Sequence, residues 1–293
     1  MKLDISSLVL ELRGITEYDI PANTLLFNAE KHDSRIPDLI YTFHFLDKLP
    51  QLNSLWELKY QRPNIQVFTT GDREARIIGV NDNSIPYAEY EEVDDRNINV
   101  YFLKANQAEL QIDTIFLSCL SLERHLAERG CYILHCAFLV YKGQAVLFSG
   151  PSGIGKSTHA DLWCKSIPDC HIVNGDRCLI CFNKEGTYEA CGWPVCGSSG
   201  ICFKEHYPLK AIVFIEQSSI NHVIEESLMS YYMRLTAQMT INHWNVEATG
   251  NALDWILKLA QIVKVTTYAC NMNSDAPVIL HDYLFCEINE YLY

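Results

Sequence analysis

The first third of the chain alternates short apolar runs with clusters of turn residues. The runs are rich in aromatic and β-branched side chains and have the length of strands. They are LIYTFHFL (39–46), IQVFTT (65–70), EARIIGV (74–80) and INVYFL (98–103). VNDNSIP (80–86) and DDRN (94–97) have the composition of turns. We therefore expect residues 1–110 to form a small β-rich domain.

From residue 111 onward, apolar runs of strand length alternate with segments of helical periodicity. Residues 112–130 carry apolar side chains at helical spacing and end at Gly130, a typical helix cap. The run YPLKAIVFIE (207–216) is almost unbroken and favours a strand covered on both faces. Further helices are expected near 222–239, 251–262 and 275–292. Strands alternating with helices predict a second domain, residues 111–293, built on an α/β sheet.

Charge and hydropathy remove several classes of function. The formal charge is −13, and a nucleic-acid partner would need clustered Lys and Arg, so we expect none. No apolar run approaches the roughly 18 residues of a membrane helix, so no membrane partner is expected. The opening MKLDISSLVLEL lacks a signal-peptide pattern. We expect a cytoplasmic protein.

The twelve cysteines change this picture little. Without a secretory signal they are expected to be reduced, small and buried. Cys178 and Cys181 have the spacing of a zinc knuckle, but RCLICF (177–182) reads as a strand that would place them on opposite faces. Structural zinc is therefore the weaker alternative. The acidic run 89–95 is expected to be a solvated hairpin, with a docking surface for a basic partner as the alternative.

One segment carries specific chemistry. Gly150, Gly155, Lys156 and Ser157 fit the full phosphate-binding loop pattern, between a predicted strand (144–149) and a predicted helix (156–166). Glycines let backbone amides approach phosphate oxygens, and the helix N-terminus adds partial positive charge. The residues expected to bind the nucleotide are Gly150, Ser152, Gly153, Ile154, Gly155, Lys156, Ser157 and Thr158.

The motif assigns roles within this set. Lys156 would reach the terminal phosphates, and the Ser157 hydroxyl would coordinate Mg²⁺. Asp176, the next acidic residue at a predicted strand end, lies 20 residues beyond Lys156. This short separation favours a compact kinase. Guanine-nucleotide and transporter signatures are missing, since NKEG (183–186) lacks the aspartate of the guanine reader.

The segment LHCAFLVYKGQAVLFSGPSGIGKSTHADLW, followed by HIVNGDRCLI, resembles the core of the HPr kinase/phosphorylase superfamily. The resemblance covers residues 110–290 and implies a fold shared with phosphoenolpyruvate carboxykinase. It implies that His135, 21 residues before Lys156, is an active-site residue. It also implies that Asp176 is a catalytic base and a metal ligand beside Ser157.

One departure from the family pattern matters. Superfamily members usually carry two adjacent acids at the strand end, whereas this chain has Gly175 before Asp176. Either Asp176 serves both as the catalytic base and as the metal ligand, or another acid, such as Glu216, supplies the base. Arg177 would stabilise the transferred phosphoryl group or neutralise Asp176. The Trp193-Pro194 turn would shape a pocket or pack the sheet edge.

These features lead to one main hypothesis and two alternatives. We expect a kinase that transfers the γ-phosphoryl group of ATP, or of another nucleotide, with Mg²⁺. The acceptor would be a hydroxyl, most simply a serine of a peptide, protein or small molecule. Asp176, His135, Lys156 and Arg177 would be its catalytic residues. A nucleotide-binding scaffold without activity and a carboxykinase-like enzyme are the alternatives. The resemblance also implies a possible homo-oligomer.

Overall fold

A computed structural model describes residues 1–6, 8–30, 33–79 and 85–286. It divides the chain into two compact units. The first comprises Met1–Arg129 with Asn242–Thr249, and the second comprises Gly130–Ile241 with Gly250–Tyr293. Among the described residues, no helix is long and apolar enough to cross a membrane.

The first unit is built on one mixed sheet. Its described strands are β1 (Lys2–Ile5), β2 (Leu8–Arg13), β3 (Leu39–Leu46), β4 (Glu57–Arg62), β5 (Ile65–Thr70), β6 (Arg73–Gly79), β7 (Pro86–Glu92) and β8 (Asn97–Leu103). Their order is β1-β2-β3-β8-β7-β6-β5-β4. The β2–β3 and β3–β8 pairs are parallel and the others antiparallel. The predicted turn at 80–86 lies mostly outside the described residues.

Short helices accompany this sheet. They are α1 (Ala22–Leu25), α2 (Asp113–Leu120) and α3 (Leu122–Ala127), with 3-10 turns at Glu17–Asp19 and Lys104–Gln111. The single helix predicted for 112–130 is wrong in one respect. Ser121 has a φ of 50° and separates α2 from α3, because left-handed backbone cannot continue a right-handed helix.

The acidic β7–β8 hairpin is less solvated than its charge predicts. Glu89 and Glu92 are buried. Burial raises the pKa of Glu89 to about 7, and neighbouring Glu91 adds to the shift. Glu92 accepts hydrogen bonds from the Tyr90 hydroxyl at 2.7 Å and from Arg124 at 2.8 Å. The solvated-hairpin prediction is therefore wrong for these two carboxylates, because both are buried.

The second unit combines another large sheet with four helices among the described residues. Its strands are β9 (Cys131–Tyr141), β10 (Gln144–Ser149), β11 (Cys170–Asn174), β12 (Arg177–Phe182), β13 (Tyr188–Cys191), β14 (His206–Gln217), β15 (His222–Ile224) and β16 (Lys264–Cys270). The helices are α4 (Lys156–Ser166), α5 (Leu228–Gln238), α6 (Val246–Ile262), which begins within the first unit, and α7 (Ala276–Phe285). A 3-10 turn spans Gly197–Ser199. The helix predicted from residue 222 begins later, since 222–224 is a strand.

Strand pairing determines which chain segments meet. The order is β10-β9-β12-β13-β14-β16-β15, with β11 also on β9 and β10 also on β14. β10, β14 and β16 are parallel, so their carboxyl ends reach one edge of the sheet. A ligand crevice is expected at such an edge. The mixed α/β architecture with two large sheets confirms the predicted fold class at this level.

Two cysteine expectations have different outcomes. RCLICF forms strand β12, as predicted. A disulfide joins Cys131 on β9 to Cys181 on β12, which are directly paired in the ladder. The expectation of reduced cysteines is therefore wrong for this pair. Among the described residues, the other ten cysteines form no disulfide bond.

Helix α4 is fixed to the sheet by a buried aromatic cluster. Trp163 and His159 are fully buried on its inner face. The ring centroid of Phe148 on β10 lies 4.8 Å from that of His159 and 5.7 Å from that of Trp163. Burial lowers the pKa of His159 to about 4. The imidazole therefore acts as a neutral, mostly apolar packing group.

We expect this histidine to weaken the fold in acid. The folded protein binds fewer protons than the unfolded chain between the pKa of about 4 and the ordinary value of 6.5, so stability falls as pH falls through this window. Between about pH 7 and pH 5, the titration of His159 alone should lower the free energy of unfolding by about 2 kcal/mol. Urea unfolding should show a weaker pH dependence in His159→Leu than in the wild type. Equal pH dependence in both proteins would contradict the assignment.

Candidate functional site

The glycine-rich loop (150–155) joins the end of β10 to the start of α4. Gly150, Gly153 and Gly155 have φ values of 140°, 78° and 113°, which residues with a Cβ rarely adopt. The preceding Ser149 is buried, and its hydroxyl donates to the His135 carbonyl oxygen at 2.9 Å. The loop therefore needs glycine at three positions and is anchored to β9 at its start.

Several amides of this loop and of the first turn of α4 have no acceptor among the described residues. They belong to Gly153, Gly155, Lys156, Ser157 and Thr158. The Ile154 amide, by contrast, donates to the Pro151 carbonyl oxygen at 3.3 Å. Free amides at a helix N-terminus attract anions because they combine unused donors with the positive end of the helix dipole.

Lys156 adds a full positive charge beside these amides. Its ammonium nitrogen donates to the carbonyl oxygens of Gly150 at 3.0 Å and Pro151 at 3.1 Å. The side chain is only 7% exposed, and burial lowers its pKa. The loop thus concentrates one buried cation and five free amide donors in a short stretch of backbone.

The segment carrying Asp176 runs along β9. β11 pairs with the second half of β9 and β12 with the first half, and the register shifts by one residue between Ile172 and Asn174. Beyond the shift, the Cys136 amide donates to the Asp176 carbonyl oxygen at 3.0 Å. Such a bulge changes the direction of the side chains that follow it. It sets the face on which Asp176 lies.

The bulge is held by the buried side chain of Asn174. Its Oδ1 accepts from the amides of Asp176 and Arg177, both at 2.9 Å. Its Nδ2 donates to the carbonyl oxygens of Trp193 at 2.8 Å and Val195 at 3.0 Å. One fully buried amide therefore fixes both the Asp176 segment and the loop after β13.

His135 on β9 faces Asp176. Its Nε2 lies 3.6 Å from Oδ1 of Asp176, and its Nδ1 lies 3.3 Å from Oε1 of Gln238. Burial lowers the pKa of His135, and the charge of Lys156 lowers it further. In the neutral ring, Nδ1–H donates to Gln238, which leaves Nε2 as an acceptor. Two acceptors, the Nε2 lone pair and the Asp176 carboxylate, then lie side by side.

These groups surround one cavity of about 250 Å³. It is lined by His135, Ser152, Gly153, Gly155, Lys156, Ser157, Thr158, Gly175, Asp176, Ser198 and Ser199. A larger concavity of about 490 Å³ lies in the first unit near Arg62, which is the one charged residue among the described residues that line it. We place the candidate site in the smaller cavity because the titratable groups converge there.

Other residues singled out in the sequence lie around the cavity rather than in its lining. Ile154 packs against the hydrophobic core, and a Cβ on Gly150 would meet Ile154 at 3.3 Å. Arg177 donates from Nε to Oδ2 of Asp176 at 3.2 Å. Glu216 forms an ion pair of 2.5 Å with Arg234 on α5. Arg177 thus pairs with Asp176, whereas Glu216 pairs with a different cation, Arg234.

Three polar side chains of the site were not predicted. Ser198 and Ser199 follow the Trp193-Pro194 turn, which is itself buried. Gln238 reaches His135 from the end of α5, 103 residues further along the chain. The GSSG segment (197–200) offered a weak signal, since glycines on both sides of two serines are typical of a tight, polar turn. Gln238 has no local signal.

Comparison with known proteins identifies the family of this chain. The family described as SynChlorMet cassette protein ScmC matches residues 101–282, more than half of the chain. The chain belongs to the ScmC family. The matched residues of this ScmC protein include the glycine-rich loop, Asp176 and the GSSG segment. No curated protein matches the chain.

Among solved structures, this ScmC protein is similar to the HPr(Ser) kinase/phosphatase from Coxiella burnetii. The identity is 16%, the TM-score is 0.25, and the match covers 33% of this chain and 66% of that chain. A likeness of this size carries no argument about fold or function. The functional proposal therefore depends on the residues of the site.

The structure explains why this ScmC protein has glycine where a second acid is expected. A Cβ on Gly175 would lie 2.2 Å from Oγ and 2.4 Å from Cβ of Ser199. Real Cβ atoms do not approach other atoms so closely, so Ser199 occupies the space that an acid at position 175 would need. The two positions therefore constrain each other.

We expect Gly175→Ala to destabilise the second unit by about 1–3 kcal/mol, the usual cost of overpacking. Adding Ser199→Gly should recover more than half of this loss, because it removes the clashing atoms. Gly250→Ala is the matched control: Gly250 is helical with open space around it, so the change should be neutral or slightly stabilising. Urea unfolding of the four variants measures the coupling. Additive effects of Gly175→Ala and Ser199→Gly would contradict it.

Proposed function

We propose that this protein is a nucleotide-dependent kinase that transfers the γ-phosphoryl group of ATP to a hydroxyl of serine type. The main support is the set of five free amides beside buried Lys156, which faces Asp176 and His135 across one cavity. Phosphoryl transfer needs anion binding on one side and a proton acceptor on the other. The cavity offers both.

Binding of the nucleotide would use the loop. The amides from Gly153 to Thr158 would donate to phosphate oxygens, and Lys156 would exchange its carbonyl contacts for phosphate contacts. The ammonium is desolvated before binding, so its charge acts at full strength on the phosphates instead of being screened by water. These groups hold charge in place and orient the γ-phosphorus.

Acceptance of the hydroxyl proton would use Asp176. Its carboxylate lines the cavity, and Arg177 fixes one oxygen through the 3.2 Å contact. The other oxygen shares the cavity with the neutral Nε2 of His135. A hydroxyl bound beside these two acceptors would donate its single proton to the Asp176 carboxylate.

The donor atoms also fit a magnesium ion. The Ser157 hydroxyl and the Asp176 carboxylate line the same cavity, and the Gly175 carbonyl oxygen lies 3.1 Å from the hydroxyl. Mg²⁺ prefers oxygen ligands and usually binds through one or two protein groups together with phosphates. When bound, the ion would neutralise negative charge on the nucleotide.

A second function is favoured by one observation. Ser199 fills the position of the second acid, so the site has a single carboxylate. A nucleotide-binding scaffold without transfer activity would need only the loop and Lys156. The two functions differ in whether phosphate leaves the nucleotide.

Two substitutions separate binding from transfer. We expect Lys156→Ala to weaken ATP binding at least tenfold, because it removes the only Lys or Arg side chain among the described residues that line the cavity. Asp176→Asn should still bind ATP, weakened only by the loss of one Mg²⁺ ligand, but should transfer phosphate at least 100-fold more slowly, the usual effect of losing a general base. Calorimetry with Mg²⁺ and ATP measures binding. Transfer is measured with γ-labelled ATP and serine-containing peptides.

Controls come from helix α4. Lys165→Ala and Asp161→Asn remove the same charges from exposed positions and should leave both measurements unchanged. Tight ATP binding with no transfer to any acceptor would favour the scaffold. Absence of binding to any nucleoside di- or triphosphate would overturn both functions.

A further inference from the structure

The 3-10 turn Gly197–Ser199 lies against the acid of the candidate site. Gly197 has a φ of 55°, and a Cβ there would lie 3.0 Å from Cγ and 3.2 Å from Oδ1 of Asp176. Two residues after Gly197, the side chain of Ser199 packs against Gly175. The intervening residue, Ser198, is thus held beside the Asp176 carboxylate by contacts on both sides.

The two serine hydroxyls of this turn differ in their surroundings. Oγ of Ser199 donates to the Cys196 carbonyl oxygen at 2.6 Å and accepts from the Ile201 amide at 3.2 Å. Ser198 is exposed and forms no hydrogen bond with the described residues. Both line the cavity that holds Lys156 and Ser157. Within this turn, Ser198 is therefore the serine whose hydroxyl is available, and Ser152 of the glycine-rich loop is a further exposed serine in the lining.

We propose that Ser198 is a site of intramolecular phosphorylation. This inference rests on the proposed kinase function and names one acceptor for it. The Ser198 hydroxyl oxygen attacks the γ-phosphorus of the bound nucleoside triphosphate. A P–O bond to Ser198 forms, the bond between the γ-phosphorus and the β–γ bridging oxygen breaks, and the nucleoside diphosphate leaves. The hydroxyl proton passes to the Asp176 carboxylate and then to water.

The position of the turn supports this reaction over transfer between molecules. Transfer within one chain gains from proximity, because the acceptor and the base are already held together. Gly200 follows the turn with a φ of 66°, so glycines on both sides let the backbone place Ser198 without steric cost from a Cβ. The product would carry about two negative charges next to Asp176. One phosphoryl group per chain is therefore the expected limit.

The test uses the full chain with γ-labelled ATP and Mg²⁺, and mass spectrometry of the digested protein. We expect one phosphoryl group on Ser198, with a labelled fraction whose time course does not depend on protein concentration. Ser198→Ala should lose the label and Ser198→Thr, which keeps a hydroxyl, should retain it. Lys156→Ala should also lose it. Calorimetry with ATP must show that Ser198→Ala still binds the nucleotide, so that loss of label is not loss of folding.

The other outcomes are separable. If ATP binds and serine peptides are phosphorylated but Ser198 is not, the inference fails and the kinase function stands. If ATP binds and nothing is labelled, both the inference and the kinase function fail in favour of the scaffold. If labelling of Ser198 slows with dilution, the intramolecular reaction is overturned. If no nucleotide binds, both proposals fall together.

Discussion

The candidate site depends on one buried amide, the side chain of Asn174. Its two donor contacts and two acceptor contacts connect the Asp176 segment of the sheet to the loop after β13. A buried amide with all its hydrogen bonds satisfied is stable, whereas a partly satisfied one is costly. The loop and the carboxylate are therefore positioned together, and neither can move without leaving polar groups of Asn174 unpaired.

Electrostatics divides the cavity into two sides. One side carries Lys156 and free amides, and the other carries Asp176 with neutral His135. A neutral imidazole next to a carboxylate leaves the negative charge uncompensated on that face, apart from Arg177 behind it. An anionic ligand on the loop side and a hydroxyl on the carboxylate side would each meet complementary groups. This arrangement is the physical basis of the proposed kinase function.

The features that the sequence predicted correctly are formed by residues close together in the chain. The loop and α4 follow from a motif whose glycines, lysine and helix start occupy adjacent positions, and α4 spans the predicted 156–166. Features made by distant residues were missed. Gln238 reaches His135 from another helix, and Ser199 fills the space beside Gly175. The burial of Glu92 was missed because its partner Arg124 lies on a helix that follows the hairpin.

The disulfide between β9 and β12 acts at a distance on the geometry of the candidate site. Cys131 lies four residues before His135, and Cys181 lies four residues after Arg177, in the same antiparallel pair. Sliding of one strand past the other by a single residue would turn alternate side chains to the opposite face. The covalent link prevents that shift in register, so it keeps the His135 imidazole opposite the Asp176 segment.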